Sequence, residues 1–516
     1  MKRLALVSML LMAFCTAMTF AAGRASSGSS GTSTGSGSFA KHIELSVANW
    51  GIQDGFDDPN AKSDTIFNAL CEKFNITIRP VQVTWGDWMD KAKIWAASNQ
   101  LPDLFPTDAP LDLYTTWATQ GVLKAFPDDL SSWPAIQQTL SQPSVRPLAI
   151  DGKFYKYPRM AKASADDWVL DRELMYRKDW LAQAGYSQPP QSFEEFITVT
   201  KKVLSQHPEA AGLGVNTPTY LLYLMAGIYP EGMSISNWAK EDGLWKPVYA
   251  TRGFAQGVAQ FRRLYAEGIL DRDFVIQQTS SQGDKYDTGQ LFAFIGGGNL
   301  RVSAHTKVQE TQAIMDIWPA PDGVKYYLGE TPYWAETMFS ARMDDEKFER
   351  ALYLIDYMST EDWLIQRYNG ILNVDYKIEN GSYTSLLPAD QTLGKKYPIT
   401  DRIYQLGAYG EWLPYMGKTV IPLDPDRAYA QQYATDYFNY RKGTAKPMPV
   451  NYDIYLMNTP NKGKLDGEIM NDLIRVIAGT GDAVAAWQQV IRSYEPLGLS
   501  DAINEVNAKA RQLGIQ

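Results

Sequence analysis

From residue 43 onward, apolar positions recur with two alternating periods. Residues 43–48 (IELSVA) and 76–83 (ITIRPVQV) predict short strands, and Asn49-Trp50-Gly51 is expected to break the first. Between them, Ile66, Phe67, Leu70, Cys71 and Phe74 form the stripe of a helix over 63–74. A second helix is predicted over 85–98, with Trp88, Ala92, Ile94 and Trp95 on or near one face, and a third short strand over 102–105. Strand, helix, strand, helix, strand predicts a parallel sheet covered on both faces. Ligands of such sheets gather beyond the carboxyl ends of the strands. Those ends carry Asn49-Trp50, Thr84-Trp85 and Thr107-Asp108.

The pattern continues to the end of the chain. Ser192, with Glu195 three residues on, predicts a capped helix running to about 205. Further helices are expected over 251–267, 345–358 and 362–368, with one long helical ending over 482–509. QLFAFI (290–295) reads as a strand opening into Gly296-Gly297-Gly298-Asn299. No Lys-Ser/Thr follows these glycines, so the run is no phosphate loop.

The first forty residues differ in kind. Lys2 and Arg3, an apolar run over 4–20 and small residues at 21–23 predict a secretory signal over 1–23. Cleavage after Ala21 or Gly23 fits, while Cys15 offers an acylation site preceded by an unfavourable Phe14. Residues 24–40 are mostly Ser, Gly and Thr and predict a flexible linker. The mature protein is therefore expected to be exported.

Composition narrows the chemistry. A net charge of −9 argues against nucleic acid as a partner. Two cysteines allow no disulfide framework, and three scattered histidines argue against a zinc or His-dependent site. Asp54, Asp57, Asp58, Asn60 and Asp64 suggest calcium by composition, but their spacing fails the calcium-loop pattern and Pro59 interrupts it. No metal or cofactor is expected. The surplus lies in aromatics: 15 Trp, 30 Tyr and 19 Phe.

Several motifs, in order, resemble the extracellular solute-binding proteins of ABC importers, family 1, which bind sugars and oligosaccharides. They include LPD (101–103), GVLK…DDL (121–130), GKFYKYP (152–158) and MYRKDWL…FEEF (175–196). FRRLYAEG (261–268), GQLFAF (289–294) and the run from 351 to 361 complete the series. The resemblance implies a periplasmic-binding-protein-like type II α/β fold, two lobes joined by crossover strands with a ligand cleft between them. It places 41–160 plus 328–375 in one lobe and 161–327 plus 376–516 in the other. Crossings are implied near 161–168, 328–335 and 371–376. The implied partners are a carbohydrate ligand and permease subunits at the membrane, with the protein a monomer.

A sugar cleft needs flat rings for the C–H faces of a pyranose and polar groups for its hydroxyls. Aromatic residues beside polar ones in loops are therefore the candidates: Asn49 with Trp50, Trp85 with Asp87, and Asp108 after the third strand. Asp167 with Trp168 stands at the first crossover, Asn299 follows the glycine run, and Trp334 with Glu336 stands at the second crossover. Trp412 and Tyr415 lie in a Gly- and Pro-rich stretch. Trp50→Ala and Trp334→Ala are both expected to stay folded and lose sugar affinity. Trp95, Trp180, Trp363 and Trp487 sit on helices and are expected in the core. The alternative function is a secreted glycoside hydrolase or lyase. It would need two carboxylates on a rigid scaffold, which Asp166-Asp167 and Glu194-Glu195 do not advertise.

Overall fold

The computed structural model describes residues 39–515 except 85, 171, 277–280, 298–299, 303–306, 330, 389 and 466–468. The expected signal and nearly all of the linker lie outside the described residues, as do Trp85 and Asn299.

The first sheet contains β1 (Ile43–Trp50), β2 (Ile76–Val83), β3 (Leu104–Thr107) and β4 (Lys156–Met160). The second is built from β5 (Glu173–Arg177), β6 (Ala211–Val215), β7 (Leu291–Gly296) and β8 (Gln312–Met315). The chain then returns to the first sheet as β9 (Tyr333–Phe339). The orders are β2-β1-β3-β9-β4 and β8-β5-β7-β6. The parallel β1–β2 ladder runs from Ile43↔Ile76 to Trp50↔Val83, and β9 enters antiparallel to β3 and β4. This is a two-lobe, periplasmic-binding-protein-like α/β fold.

Both faces of the second sheet are buried, so its strands are mostly apolar rather than alternating, with the polar Glu173, Arg177 and Gln312 confined to strand ends. Leu174 and Tyr176 face one apolar cluster with Leu213 and Phe292, while Met175 faces another with Leu291 and Phe294. In the first lobe, Ala48, Val83 and Phe105 pack beneath the helix Leu111–Thr119 through Tyr114, Trp117 and Ala118.

Local signals hold where the chemistry is local. Ser192 accepts the Glu195 amide and caps the helix Phe193–Leu204. The Glu195 carboxylate reaches back one residue further than a regular capping box, to the Gln191 amide. Three expectations need correction. β1 runs through Asn49 and Trp50, and the break is Gly51, at φ 70°. The C-terminal ending is two helices, Ala483–Ser493 and Leu499–Gln512. Pro496 cannot continue the first helix, and Gly498 at φ 97° turns the chain between them.

The third correction concerns residues 376–411, expected in the second lobe. Part of this segment packs on the first sheet. Asp64 caps the helix Thr65–Phe74 and also receives both the amide and the hydroxyl of Thr400. Asn49 donates to the Arg402 carbonyl, Arg159 to the Gln405 carbonyl and Thr337 to the Leu406 carbonyl.

Candidate ligand-binding cleft

The strand directions bring Trp50, Thr107, Met160 and Tyr333 to one edge of the first sheet. Beyond that edge the chain crosses to the second lobe between Met160 and Glu173, and returns between Met315 and Tyr333. The register of β9 shifts between Tyr333 and Glu336, and Ala335 there takes φ 57°. Left-handed backbone is unfavourable for a residue bearing Cβ. Its effect is directional. Trp334 and Glu336, two apart, would share a face in a regular strand, but the bulge sends them to opposite faces.

On one face Trp334 stacks on Trp50, centroids 5.6 Å apart at 28°, and meets Tyr409 edge-on at 6.0 Å. Trp88 meets Trp50 edge-on at 5.6 Å. Trp334 is half-buried, while Trp50 is only 2 % exposed, so Trp334 offers the ring and Trp50 is its bed. The Arg159 guanidinium lies beneath, 4.9 Å from the Trp334 ring and 5.4 Å from Trp50. It donates to the carbonyls of Gln405 (2.6 Å) and Trp334 (3.1 Å). Burial lowers its pKa to about 10. Arg159 Nε, Gln405 Oε1 and Asn49 Oδ1 are buried with no protein hydrogen-bond partner. Alongside, Arg367 covers Tyr404 at 3.5 Å and donates to the Tyr409 carbonyl at 2.8 Å.

The other face carries carboxylates. Glu336 pairs with Lys156 at 2.8 Å, both side chains buried, and the ammonium also lies 4.3 Å from the Tyr114 ring centre. Burial raises the Glu336 carboxyl above its ordinary range against the opposing pull of Lys156. Its Oε2 has no protein partner. Glu336 and Asp108 line a cavity of about 260 Å³, closed from the second lobe by Trp238, Tyr249, Tyr455 and Asn458. The Asp108 carboxylate touches open space, yet walls from both lobes surround it and raise its pKa. Asn458 Nδ2 donates to Thr115 Oγ1 at 2.9 Å, joining the lobes beside this cavity.

Four candidates thus meet at the cleft edge: Trp50, Asp108, Trp334 and Glu336. Asn49 lies inside β1, fully buried, and serves the Arg402 carbonyl. Asp87 accepts the Thr84 amide and pairs with Lys91, which lowers its pKa. Trp168 packs in a second-lobe cluster and donates its indole N–H to the Thr331 carbonyl, because the crossover tucks back under that lobe. Asp167 bonds Ser164 and pairs with Lys442. Trp412 lines a separate cavity of about 310 Å³ with Met160, Lys162 and Glu361, and Tyr415 stacks on Phe438 at 4.6 Å. Arg159, Arg367, Tyr404, Tyr409, Trp238 and Tyr249 escape sequence reasoning. Asp64 serves as a helix cap, and among the described residues no group of His, Cys, Asp or Glu is placed to hold a metal ion.

Two α/β lobes enclosing a cleft, with rings and carboxylates on its edge, define a receptor that closes on a small solute. The chain belongs to the bacterial extracellular solute-binding protein family, whose model matches residues 58–334. It is 20% identical to Lipoprotein LipO of Bacillus subtilis (strain 168) over 464 residues, 84% of this chain and 87% of that protein. It is 26% identical over 252 residues, 46% of this chain and 48% of that protein, to the polygalacturonan/rhamnogalacturonan-binding protein YtcQ of the same organism. The crystal structure of the alginate-binding protein AlgQ2 without calcium ion superposes with TM-score 0.67 at 16% identity, covering 91% of this chain and 98% of that one.

Proposed function

We propose that the protein is the extracytoplasmic binding component of an ABC importer, and that it captures an oligosaccharide by lobe closure and delivers it to permease subunits. The observation that carries this reading is the half-buried Trp334 ring, bedded on Trp50 at a cleft edge whose opposite face presents Asp108 and Glu336. Rings cover the C–H faces of a sugar, and carboxylates accept its hydroxyls. The named ligands of YtcQ and AlgQ2, all polysaccharides, support the same class. The reading includes export, with or without lipid attachment at Cys15, which the leader-like residues 1–23 and the family support. The protein acts as a monomer.

Calorimetry against a panel of oligosaccharides tests the reading. Trp334→Ala is expected to stay folded and to weaken sugar binding by about 1–3 kcal/mol, the worth of one aromatic face. Unchanged affinity in that variant removes Trp334 from the site. One observation favours a second reading, a carbohydrate-active enzyme: Asp108 and Glu336 line one cavity, both with raised pKa. The Lys156 clamp on Glu336 opposes it, because a general acid must hold and release a proton. New reducing ends from any bound oligosaccharide would establish the enzyme.

A further inference from the structure

On a chain of net charge −9, the aromatic face of the cleft edge gathers guanidinium groups. Arg367 is held by Tyr404 (3.5 Å to the ring centre), Tyr368 (4.4 Å) and the Tyr409 carbonyl. Among the described residues no carboxylate lies within ion-pair distance of it. The two acids nearby are engaged elsewhere: Glu411 with Lys162 at 2.8 Å, and Asp401 with Arg402 at 3.7 Å. Arg367 is therefore ordered without a direct ion pair, with Asp401 acting on it only through space, and its half-buried position leaves part of it open to solvent. Arg402, about half exposed, lies across Gly51 immediately after Trp50. Beneath the rings Arg159 is fully buried, donates only to carbonyl oxygens and keeps Nε without a protein acceptor, with Glu336 and Asp108 acting on it through space.

Packing alone accounts for guanidiniums stacked on rings. It does not account for a buried one and a half-buried one that both lack a carboxylate at ion-pair distance, since buried charge is costly unless paired. A neutral sugar would not compensate them. A carboxylate on the ligand would, through charge-assisted bonds to the planar fork of arginine. We propose that the ligand is an acidic saccharide, a chain of uronic acid residues, whose carboxylates are read by Arg367 and Arg402 while its rings lie on Trp334. Asp108 and Glu336, on the opposite face of the sheet, are left to the hydroxyls. The inference rests on carbohydrate binding at this cleft.

The test compares a short oligogalacturonate with the same oligomer methyl-esterified, titrated calorimetrically into the purified protein beside a panel of neutral oligosaccharides. The free acid is expected to bind about tenfold more tightly than the ester or better, as one charge-assisted bond implies. That preference is expected to shrink in high salt and to vanish in Arg367→Gln. Arg402→Gln, at an exposed position, is expected to reduce it without affecting folding. Equal affinity for acid and ester overturns the inference, as does a preference that survives both substitutions. Binding of neutral oligosaccharides but not of the uronate overturns this inference alone. Binding of no saccharide overturns the carbohydrate reading with it.

Discussion

Ala335 carries a small strain with a large consequence. Its left-handed backbone separates Trp334 from Glu336, so one short strand supplies a ring to one face and an acid to the other. Ala335→Gly is expected to keep the fold and the ligand affinity, because glycine takes this conformation freely. Ala335→Val should cost about 1–3 kcal/mol in urea denaturation and weaken binding together with stability, by moving Trp334. Trp50 behaves differently from its partner. It is 2 % exposed, so Trp50→Ala is expected to lose about 3–5 kcal/mol of stability, contrary to the expectation that it would simply stay folded. TPYWAET marks Trp334 and Glu336 as candidates because an aromatic beside an acid at a crossover is unusual, and the fold puts both at the cleft edge. Arg159 is not legible. An arginine in KYPRM reads as solvent-facing, and only the fold lays it under two tryptophans.

At the scale of elements, periodicity finds β1, β2 and the capped helix Phe193–Leu204 because each signal lies within its own segment. It says nothing of the lobe to which residues 376–411 belong, which the resemblance alone assigns, because their placement depends on contacts hundreds of residues away. Asp64 shows how. One carboxylate accepts from Phe67 at the start of its own helix and from Thr400 twice, so a residue resembling one member of a calcium cluster joins two distant segments. Asp64→Ala removes the cap and leaves the Thr400 donors unmatched. The loss should be about 2–4 kcal/mol, read as a lower urea midpoint at unchanged slope. Asp64→Asn keeps one acceptor oxygen and should recover part of it. The aromatic surplus divides along the same line. Trp180, Trp363 and Trp487 are buried on helices, as their stripes predict, whereas Tyr404 and Tyr409 reach the cleft from short helical turns and the chain after them, too short for any period to describe.

The whole molecule decides how the cleft titrates and closes. Walls from both lobes surround Asp108, and their desolvation raises its pKa above 3.8. A raised carboxyl pKa means that the accepting carboxylate is present above that value and lost as pH falls through it. Affinity should therefore begin to decline at a higher pH than an ordinary aspartate would allow. Asp108→Asn should lower affinity at neutral pH and flatten this acid limb. A limb unchanged in that variant would assign it to another group. The Asn458–Thr115 hydrogen bond links the second-lobe wall of the cavity to the helix Leu111–Thr119, and the proposed opening of the lobes would break it. A bond made only when the lobes meet acts on ligand retention rather than on capture. Asn458 also lines the cavity, so Thr115→Val is the cleaner probe. It should raise the dissociation rate about fivefold, the worth of about 1 kcal/mol, with little change in the association rate. Small-angle scattering on the same variant should show a larger ligand-free radius of gyration than the parent, and the same compact value once ligand is bound.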